Sequence, residues 1–264
     1  MISTTRNNDL KKTDRKYQNI LAVALLLLLW QGAASLVGQR VIFASPLEVL
    51  RRLPELAAEP DFLGSVGFSF LRIAEGFLAG FVTALLLAVL SGRFPLLETL
   101  LSPLMVTVKS VPVASFIIIA LVWLSSAQLS AFISFLMVLP VIYTGCLSGI
   151  RNIDRRMLEM AGIYRLSFAK RFRYIWLPSM RPYILSSCHT ALGLSWKAGI
   201  AAEVIGIPDG SLGEKLYEAK VYLATADLFA WTVVIVLVSV LFEKAVTGLL
   251  RLFYRKLFAS GGRA

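Results

Sequence analysis

The chain has 264 residues, of which 57% are hydrophobic and 16% are charged. A soluble domain of this size could not cover so much apolar surface, so the composition indicates a protein whose solvent is lipid. The formal net charge of +11 is also typical of nucleic-acid binding, but the cations cluster at the ends of apolar runs and do not alternate with aromatic residues. This pattern excludes nucleic acid as a partner.

Residue types that carry catalysis or bind metals are sparse. Cys146 and Cys188 lie inside apolar runs without Cys-x-x-Cys or Cys/His spacing, which predicts packed apolar side chains. His189 is the only histidine in the sequence, and no GxxxxGKS/T phosphate-binding loop occurs. The sequence therefore predicts a protein that is not an enzyme and holds neither a metal nor a cofactor.

Six continuous apolar runs are long enough to cross a bilayer, which takes about 20 residues of helix. They cover residues 18–37, 66–91, 98–124, 128–150, 183–206 and 228–250. Because the runs do not alternate as barrel strands do, we predict an all-α integral membrane protein with six transmembrane helices. The run 98–124 is the weakest of the six, because Pro103, Lys109 and Pro112 interrupt it.

The distribution of lysine and arginine predicts the orientation in the membrane. Cations are concentrated before the first run, in residues 151–182 and after the last run, whereas those of the outer segments are balanced by carboxylates. The positive-inside rule then places both termini in the cytoplasm. The first run lacks a small-residue cleavage site, which predicts a retained span rather than a signal peptide. We expect cytoplasmic tails at 1–17 and 256–264, and one transmembrane domain over residues 18–255.

Two outer segments are predicted to form short helices. In residues 41–65, Ser45 can cap a helix that has Pro46 in its first turn. Three leucines are expected to share one face of that helix: Leu47, Leu50 and Leu53. Residues 206–222 begin with a Pro-Asp-Gly turn and continue with an amphipathic pattern, which predicts a second short helix.

Small residues recur at every fourth position in two of the runs. Gly76 and Gly80 begin such a series in the second run, and Gly199 belongs to one in the fifth run. Residues four apart share a helix face, and small residues let transmembrane helices pack closely. We therefore predict helix–helix contacts at these three glycines. The next member of the series in the fifth run is a carboxylate, Glu203.

Three charged residues inside the runs are candidates for a translocation path: Lys109, Lys197 and Glu203. A charge near the bilayer centre costs about 2.5–3.5 kcal/mol even on the lenient insertion scale, so such residues call for a function or a partner. Lys197 lies about 120° around the helix from Glu203, so these two are not expected to pair directly. Two alternatives stay open: contact with a transported solute, or a structural network of charges.

Residues 151–182 carry eight cations and two carboxylates between the fourth and fifth runs. The pattern predicts two short helices, one over 155–164 and one over 168–176 that is capped by Ser167 and ended by Pro178. Two short cytoplasmic helices can present a docking surface to another protein, and they can equally lie on anionic lipid headgroups. Composition alone favours neither alternative.

The spacing within this segment resembles the EAA loop of ATP-binding cassette (ABC) importer permeases, E-A-A-x3-G-x9-I-x-L-P. Five residues fall on that spacing: Glu159, Ala161, Ile175, Leu177 and Pro178. Met160 and Arg165 depart from it. A left-handed turn at Arg165, in place of the usual glycine, would cost on the order of 1 kcal/mol.

Further stretches resemble the nitrate/sulfonate/taurine branch of binding-protein-dependent permeases, over about residues 30–255. They are SPLEVL, RxxxGFxxG from Arg72, KSVPVASF, WxxxxxAE ending at Glu203, and SLG before EKLYEA. The resemblance implies the type I ABC importer (MetI-like) permease fold in a bacterial inner membrane. It also implies a dimer with a second copy or a paralogue, two cytoplasmic ATPase subunits and an extracytoplasmic solute-binding protein.

In that family the EAA loop couples the permease to the ATPase, so residues 151–182 would be a coupling loop. Three residues would dock on the ATPase: Glu159, Ala161 and Gly162. Three would anchor the loop to the membrane domain: Ile175, Leu177 and Pro178. Three cations would pair with ATPase carboxylates: Arg155, Arg156 and Arg165.

We accordingly expect a permease subunit that carries a small anionic solute, such as a sulfonate, taurine or nitrate, and couples its passage to ATP hydrolysis by a partner. Two alternatives stay open: the same importer class carrying a vitamin precursor, or a secondary transporter driven by an ion gradient. Secondary transporters typically have inverted repeats and broken helices, and neither is visible in the sequence.

Overall fold

The computed structural model describes residues 4–38 and 43–259, and within these ranges every regular element is helical. In chain order the elements are α1 (Thr4–Val37), α2 (Pro46–Ala57), α3 (Phe62–Arg93), α4 (Pro95–Ser110), α5 (Val113–Ala120), α6 (Ser126–Arg151), α7 (Arg155–Ile163), α8 (Phe168–Arg171), α9 (Leu177–Gly206), α10 (Leu212–Val221) and α11 (Thr225–Ala259). A π-helical turn, Phe172–Trp176, joins α8 to α9. The helical fold class predicted from the sequence is confirmed.

Four segments among the described residues are long and apolar enough to cross a membrane: Ile20–Val37, Phe62–Arg93, Ser126–Arg151 and Thr225–Lys256. A fifth is added if α4 and α5 count as one span. α9 covers the predicted run 183–206 without a break, but Lys197, Glu203 and several serines make it more polar than the others. Since one part of its surface, including Ser195, Gly199 and Glu203, is buried within the protein, α9 need not be apolar all round. Six spans stay a prediction.

The run predicted over residues 98–124 is not one helix. α4 ends at Ser110, α5 begins at Val113, and the two are bent by 102°. Pro112 has no N–H with which to continue the helix, and Val111 before it is extended, with φ −79° and ψ 135°. The break therefore lies at one of the prolines that made this run the weakest of the six, and the chain does contain a broken helix, which was not visible in the sequence.

The chain divides into two compact units. One comprises Met1–Phe62 with Glu218–Val233, and the other comprises Leu63–Tyr217 with Val234–Ala264. The second unit contains α4 to α9 and most of α3. It therefore contains every candidate site residue that the sequence predicted.

In the second unit, α3, α6 and α9 pack through their small residues. A Cβ at Gly76 would strike the carbonyl oxygen of Ala131 in α6. A Cβ at Gly80 would lie 2.9 Å from the carbonyl oxygen of Phe135. At Gly199 it would meet side chains of both α3 and α6. All three glycines thus lie where two helices approach each other too closely for a side chain.

In the first unit, α2 begins with the cap that the sequence predicts. Glu48 N donates to Ser45 Oγ at 3.3 Å, and Ser45 N donates to Glu48 Oε2 at 3.0 Å, which together form a capping box. The face of this helix that carries Leu47 and Leu50 is exposed. The residues that pack are on the neighbouring face: Pro46, Val49 and Leu56.

Arg52 links α2 to the start of α11 within the same unit. Its Nε donates to Asp227 Oδ1 at 2.5 Å, and its two terminal nitrogens reach Glu55 and Glu59 at 3.0 and 2.9 Å. The hydrogen bond to Asp227 raises the pKa of the guanidinium above its usual value. Arg52 therefore stays protonated throughout the physiological pH range.

Candidate functional site

The first helix that lies wholly within the predicted cytoplasmic segment, residues 151–182, is α7. Asp154 Oδ1 accepts a hydrogen bond from Arg156 N at 2.9 Å and so caps this helix. Glu159 and Gly162 are exposed on it, and a Cβ at Gly162 would meet no atom of the described residues within 4 Å. Four large apolar side chains are exposed at helical spacing: Met157, Met160, Ile163 and Tyr164. An apolar patch of this kind is typical of a surface that meets another protein.

α7 ends in a Schellman motif whose left-handed residue is Arg165. The φ angle of Arg165 is 48°. Leu166 N donates to Ala161 O and Arg165 N donates to Gly162 O, both at 3.0 Å. The left-handed turn at the glycine position of the EAA spacing is therefore present, with arginine in it at a cost of about 1 kcal/mol.

Ala161 lies beneath α7 rather than on its exposed side. It is fully buried and packs with Ile153 and Ile175 in a small apolar cluster. The small side chain thus allows close packing inside the loop and not, as the resemblance implied, at the ATPase surface. Ile175 lies in this joint, and Leu177 and Pro178 are half-buried in the first turn of α9.

The helix after the turn is not ended by Pro178. α8, the π-helical turn and α9 form one continuous helical stretch, in which Leu177 N donates to Phe172 O. The wide π turn lies directly before Pro178, whose ring would clash with the carbonyl group four residues earlier in a regular α-helix. The prediction that Pro178 ends the second helix is therefore wrong.

Arg171, in α8, was not singled out from the sequence. Its Nε donates to the carbonyl of Leu166 at 2.9 Å, and its Nη2 donates to the carbonyl of Ala161 at 3.3 Å. Ala161 is in the last turn of α7 and Leu166 closes the turn after it, where a cation is favoured by the helix dipole. No sequence motif marks such a contact, because only the fold brings residue 171 back to this turn.

Lys109 lies in the last turn of α4, beside a cleft of about 240 Å³ between α4 and α6. Its Nζ donates to Thr144 Oγ1 at 3.2 Å and pairs with no carboxylate among the residues that the structure describes. The other charged residues of the cleft, Glu98 and Arg151, form an ion pair with each other. Three more hydroxyl groups belong to its lining: those of Ser102, Tyr143 and Ser148.

Glu203 is fully buried. Its Oε2 accepts hydrogen bonds from Ser69 Oγ at 2.6 Å and from Gly213 N at 3.3 Å. Ser69 Oγ in turn accepts from Leu212 N at 2.9 Å. The carboxylate therefore ties α3 and α9 to the N-terminus of α10, where the helix dipole favours an anion.

Lys197 is exposed, although it is only six residues before Glu203 on α9. The two side chains do not pair, as the helix geometry predicted. Burial favours the structural network for Glu203, whereas Lys109 and Lys197 both keep access to the surface of the protomer.

Residues 76–259 match the family described as Binding-protein-dependent transport system inner membrane component. The chain belongs to this family. The matched residues run from α3 into α11 and include the EAA-like loop, the Lys109 cleft and Glu203.

Three relatives show the range of this family. The Putative aliphatic sulfonates transport permease protein SsuC of Bacillus subtilis (strain 168) is 26% identical over 254 residues, which cover 94% of this chain and 90% of the relative. The Nitrate import permease protein NrtB of Synechocystis sp. is 30% identical over 195 residues, or 70% of each chain. The Bicarbonate transport system permease protein CmpB of Synechococcus elongatus is 27% identical over 273 residues, or 96% of each chain.

This permease is therefore a transport subunit of an ABC importer and not an enzyme. It is a multi-pass component of the inner membrane, and its family implies an ATPase and a solute-binding protein as partners. A broken helix is present, but the family assignment leaves no support for the alternative of a secondary transporter.

Replacing Ser69 with alanine is expected to destabilise this permease. The change leaves the buried Leu212 N without its acceptor, at a cost of about 1–3 kcal/mol. It also removes the hydroxyl donor of Glu203 Oε2, which keeps the hydrogen bond from Gly213 N. Ser65, one turn earlier on α3, is the matched control because its buried Oγ has no hydrogen-bond partner among the residues that the structure describes. Thermal unfolding in detergent should show a lower Tm for Ser69→Ala and an unchanged or higher Tm for Ser65→Ala. Equal Tm values for the two variants would contradict the role of Ser69.

Proposed function

We propose that this permease carries a small anion, of the sulfonate, taurine or nitrate kind, along a path that includes the cleft beside Lys109. The observation that carries the proposal is the ammonium group of Lys109, which has a hydroxyl partner and no described carboxylate partner. In surroundings of low dielectric constant, such a cation attracts an anion strongly. In the lining, Ser102 has an exposed hydroxyl that can donate a hydrogen bond to an oxygen of that anion. The hydroxyls of Tyr143, Thr144 and Ser148 already donate to acceptors of the permease itself.

Two further observations support the same proposal. The relatives are named for aliphatic sulfonates, nitrate and bicarbonate, which are all small anions. The break between α4 and α5 lies two residues after Lys109, and discontinuous helices line the substrate sites of many transporters. Lys197, exposed on α9, is a second candidate for the path.

Coupling to the ATPase is assigned in this proposal to α7. Its exposed apolar residues would meet the ATPase surface, with Glu159 and Gly162 at the contact. The exposed cations at its ends, Arg155, Arg156 and Arg165, would face ATPase carboxylates. ATP binding by the partner would then shift the permease between outward-facing and inward-facing states.

The proposal includes a second permease subunit, either an identical copy or a paralogue. Lys109 and Lys197 are exposed on the protomer, and charges at membrane depth need protein or water to face rather than lipid. Residues 18–255 are proposed as the transmembrane permease domain, with the coupling loop at 151–182. The tails at 1–17 and 256–264 are proposed to be cytoplasmic, as the distribution of cations indicates.

Replacing Lys109 with alanine is expected to slow ATP-driven uptake of the anion on the order of tenfold, because one charge-assisted hydrogen bond is lost. Lys109→Arg keeps the cation and should retain most of the uptake. Lys244→Ala is the control, since Lys244 is an exposed lysine of α11 outside the cleft. The measurement is uptake of labelled sulfonate and nitrate by vesicles that contain the permease, its ATPase and its binding protein.

Undiminished uptake by Lys109→Ala would contradict the assignment of the cleft to the path. A preference of the vesicles for a neutral or cationic vitamin precursor over both anions would contradict the substrate class. Uptake driven by an ion gradient, in vesicles without the ATPase, would contradict the importer mechanism as a whole.

A further inference from the structure

We infer that Arg171 is a positioning residue which makes α7 and α9 move as one body, and that coupling of ATP hydrolysis to transport depends on it. The inference rests on the proposed function of α7, because it concerns how a displacement of α7 reaches the membrane-spanning helices. It adds a residue that neither the EAA spacing nor the family assignment identifies.

The contacts of Arg171 cross the turn between two helical bodies. Arg171 belongs to the stretch that continues through the π-helical turn into α9. Its two acceptors, the carbonyls of Leu166 and Ala161, belong to the turn and to α7. A guanidinium holds its N–H groups in a rigid plane, so two such bonds fix the direction of α7 as well as its distance.

The turn gains from this restraint because its own conformation is strained. Arg165 is in the left-handed region, which a side chain disfavours, and this cost offsets part of the stabilisation from the two backbone hydrogen bonds of the Schellman motif. Among the described residues the apolar joint below the turn is small: Ile153, Ala161 and Ile175 are buried, and Leu158, Leu166 and Trp176 are partly buried against them. Without the bonds from Arg171, α7 can change its angle against α8 while both helices stay intact.

The stretch that receives the motion reaches across the second unit. α9 runs from Leu177 to Gly206 and packs along α6. At its far end, Glu203 holds the N-terminus of α10. If α7 and α9 move together, a displacement of α7 therefore moves groups at both ends of α9. If the turn between α7 and α8 bends instead, α9 stays where it is.

Arg171→Ala is expected to uncouple the importer without releasing the ATPase. Uptake should fall on the order of tenfold, since two hydrogen bonds from a charged group are lost. Association with the ATPase should match wild type, and ATP hydrolysis should continue, so that the number of ATP molecules used per imported anion rises. Arg171→Lys keeps the charge but not the planar guanidinium, and should use an intermediate number of ATP molecules per imported anion. Lys170→Ala is the matched control, because Lys170 is the adjacent cation and is exposed.

A second substitution separates positioning from general loss of stability. Glycine adopts the left-handed conformation without strain, so the turn should depend less on Arg171 in an Arg165→Gly protein. Because Arg165 also belongs to the proposed docking surface, the double variant is compared with Arg165→Gly alone: Arg171→Ala should raise the number of ATP molecules per imported anion less in that background than in wild type. A wild-type ratio of ATP to anion in Arg171→Ala, or an equal rise in both backgrounds, would overturn the inference. Loss of ATPase association together with uptake would also overturn it, because Arg171 would then belong to the docking surface. Failure of the wild-type permease to bind the ATPase would instead refute the proposed function of α7.

Discussion

Gly162→Trp is expected to abolish ATP-driven uptake in a permease that still folds and inserts into the membrane. The position is exposed on α7, and a Cβ there would meet none of the described atoms of the permease within 4 Å. An ATPase that docks over α7 would meet the indole ring, which would hold the two surfaces apart. The same change at Gly64, an exposed glycine of α3 with equally open surroundings, is the matched control and should leave uptake unchanged.

Glu159→Lys tests the same surface through charge. The side chain lies 4.0 Å from Arg155, but both are largely exposed, so losing that ion pair changes the stability of the permease little. Placing a cation where the partner is adapted to an anion costs several kcal/mol, so affinity for the ATPase should fall on the order of 100-fold. Co-purification with the ATPase in mild detergent measures this directly. Normal ATPase association in both Gly162→Trp and Glu159→Lys would rule out α7 as the docking helix.

The second large effect is expected in the packing of the membrane helices. Gly76→Ala adds a methyl group where the carbonyl oxygen of Ala131 already lies. Because a backbone cannot withdraw as a flexible side chain can, α3 and α6 must separate, at a cost of about 3 kcal/mol. The buried residues of α3 that follow Gly76 would lose contacts as well.

Gly67→Ala, on the same helix, is expected to raise the stability of the permease rather than lower it. In the part of the chain that the structure describes, a Cβ at Gly67 meets no atom within 4 Å. The change therefore only reduces the freedom of the unfolded chain and should stabilise the permease by about 0.4–1 kcal/mol. Thermal unfolding in detergent should give a lower Tm for Gly76→Ala and a slightly higher Tm for Gly67→Ala. Two equal Tm values would show that α3 and α6 are not in contact at Gly76.

The two prolines near the candidate sites, Pro112 and Pro178, have different effects on the helices that contain them. Both were expected to disturb a helix, because proline lacks an N–H and crowds the preceding turn. At Pro112 the chain indeed breaks and bends by 102°. At Pro178 the helix continues, because the wider π-helical turn before it leaves room for the proline ring. Ile175 in that turn packs against Ala161. A local rule could not distinguish the two outcomes, since the difference depends on what each segment packs against.

In the candidate site, too, some features can be predicted from the sequence and others depend on the tertiary structure. The sequence alone predicts the helical fold class, the cap at Ser45 and the position of the EAA-like loop, because these depend on residues close together in the chain. It also identifies Lys109 and Glu203 as charged side chains inside apolar runs, where a charge requires either a partner or a function. Whether a charge has a partner depends on residues far away in the chain.

Only the tertiary structure decided that Glu203 is enclosed by Ser69 and Gly213, while Lys109 has a hydroxyl partner and no described carboxylate. It also moved Ala161 from the docking surface to the interior of the loop and brought Arg171 to the end of α7. The physical reason is that burial and hydrogen bonding at these positions arise between separate helices. They exist only when the whole bundle has packed.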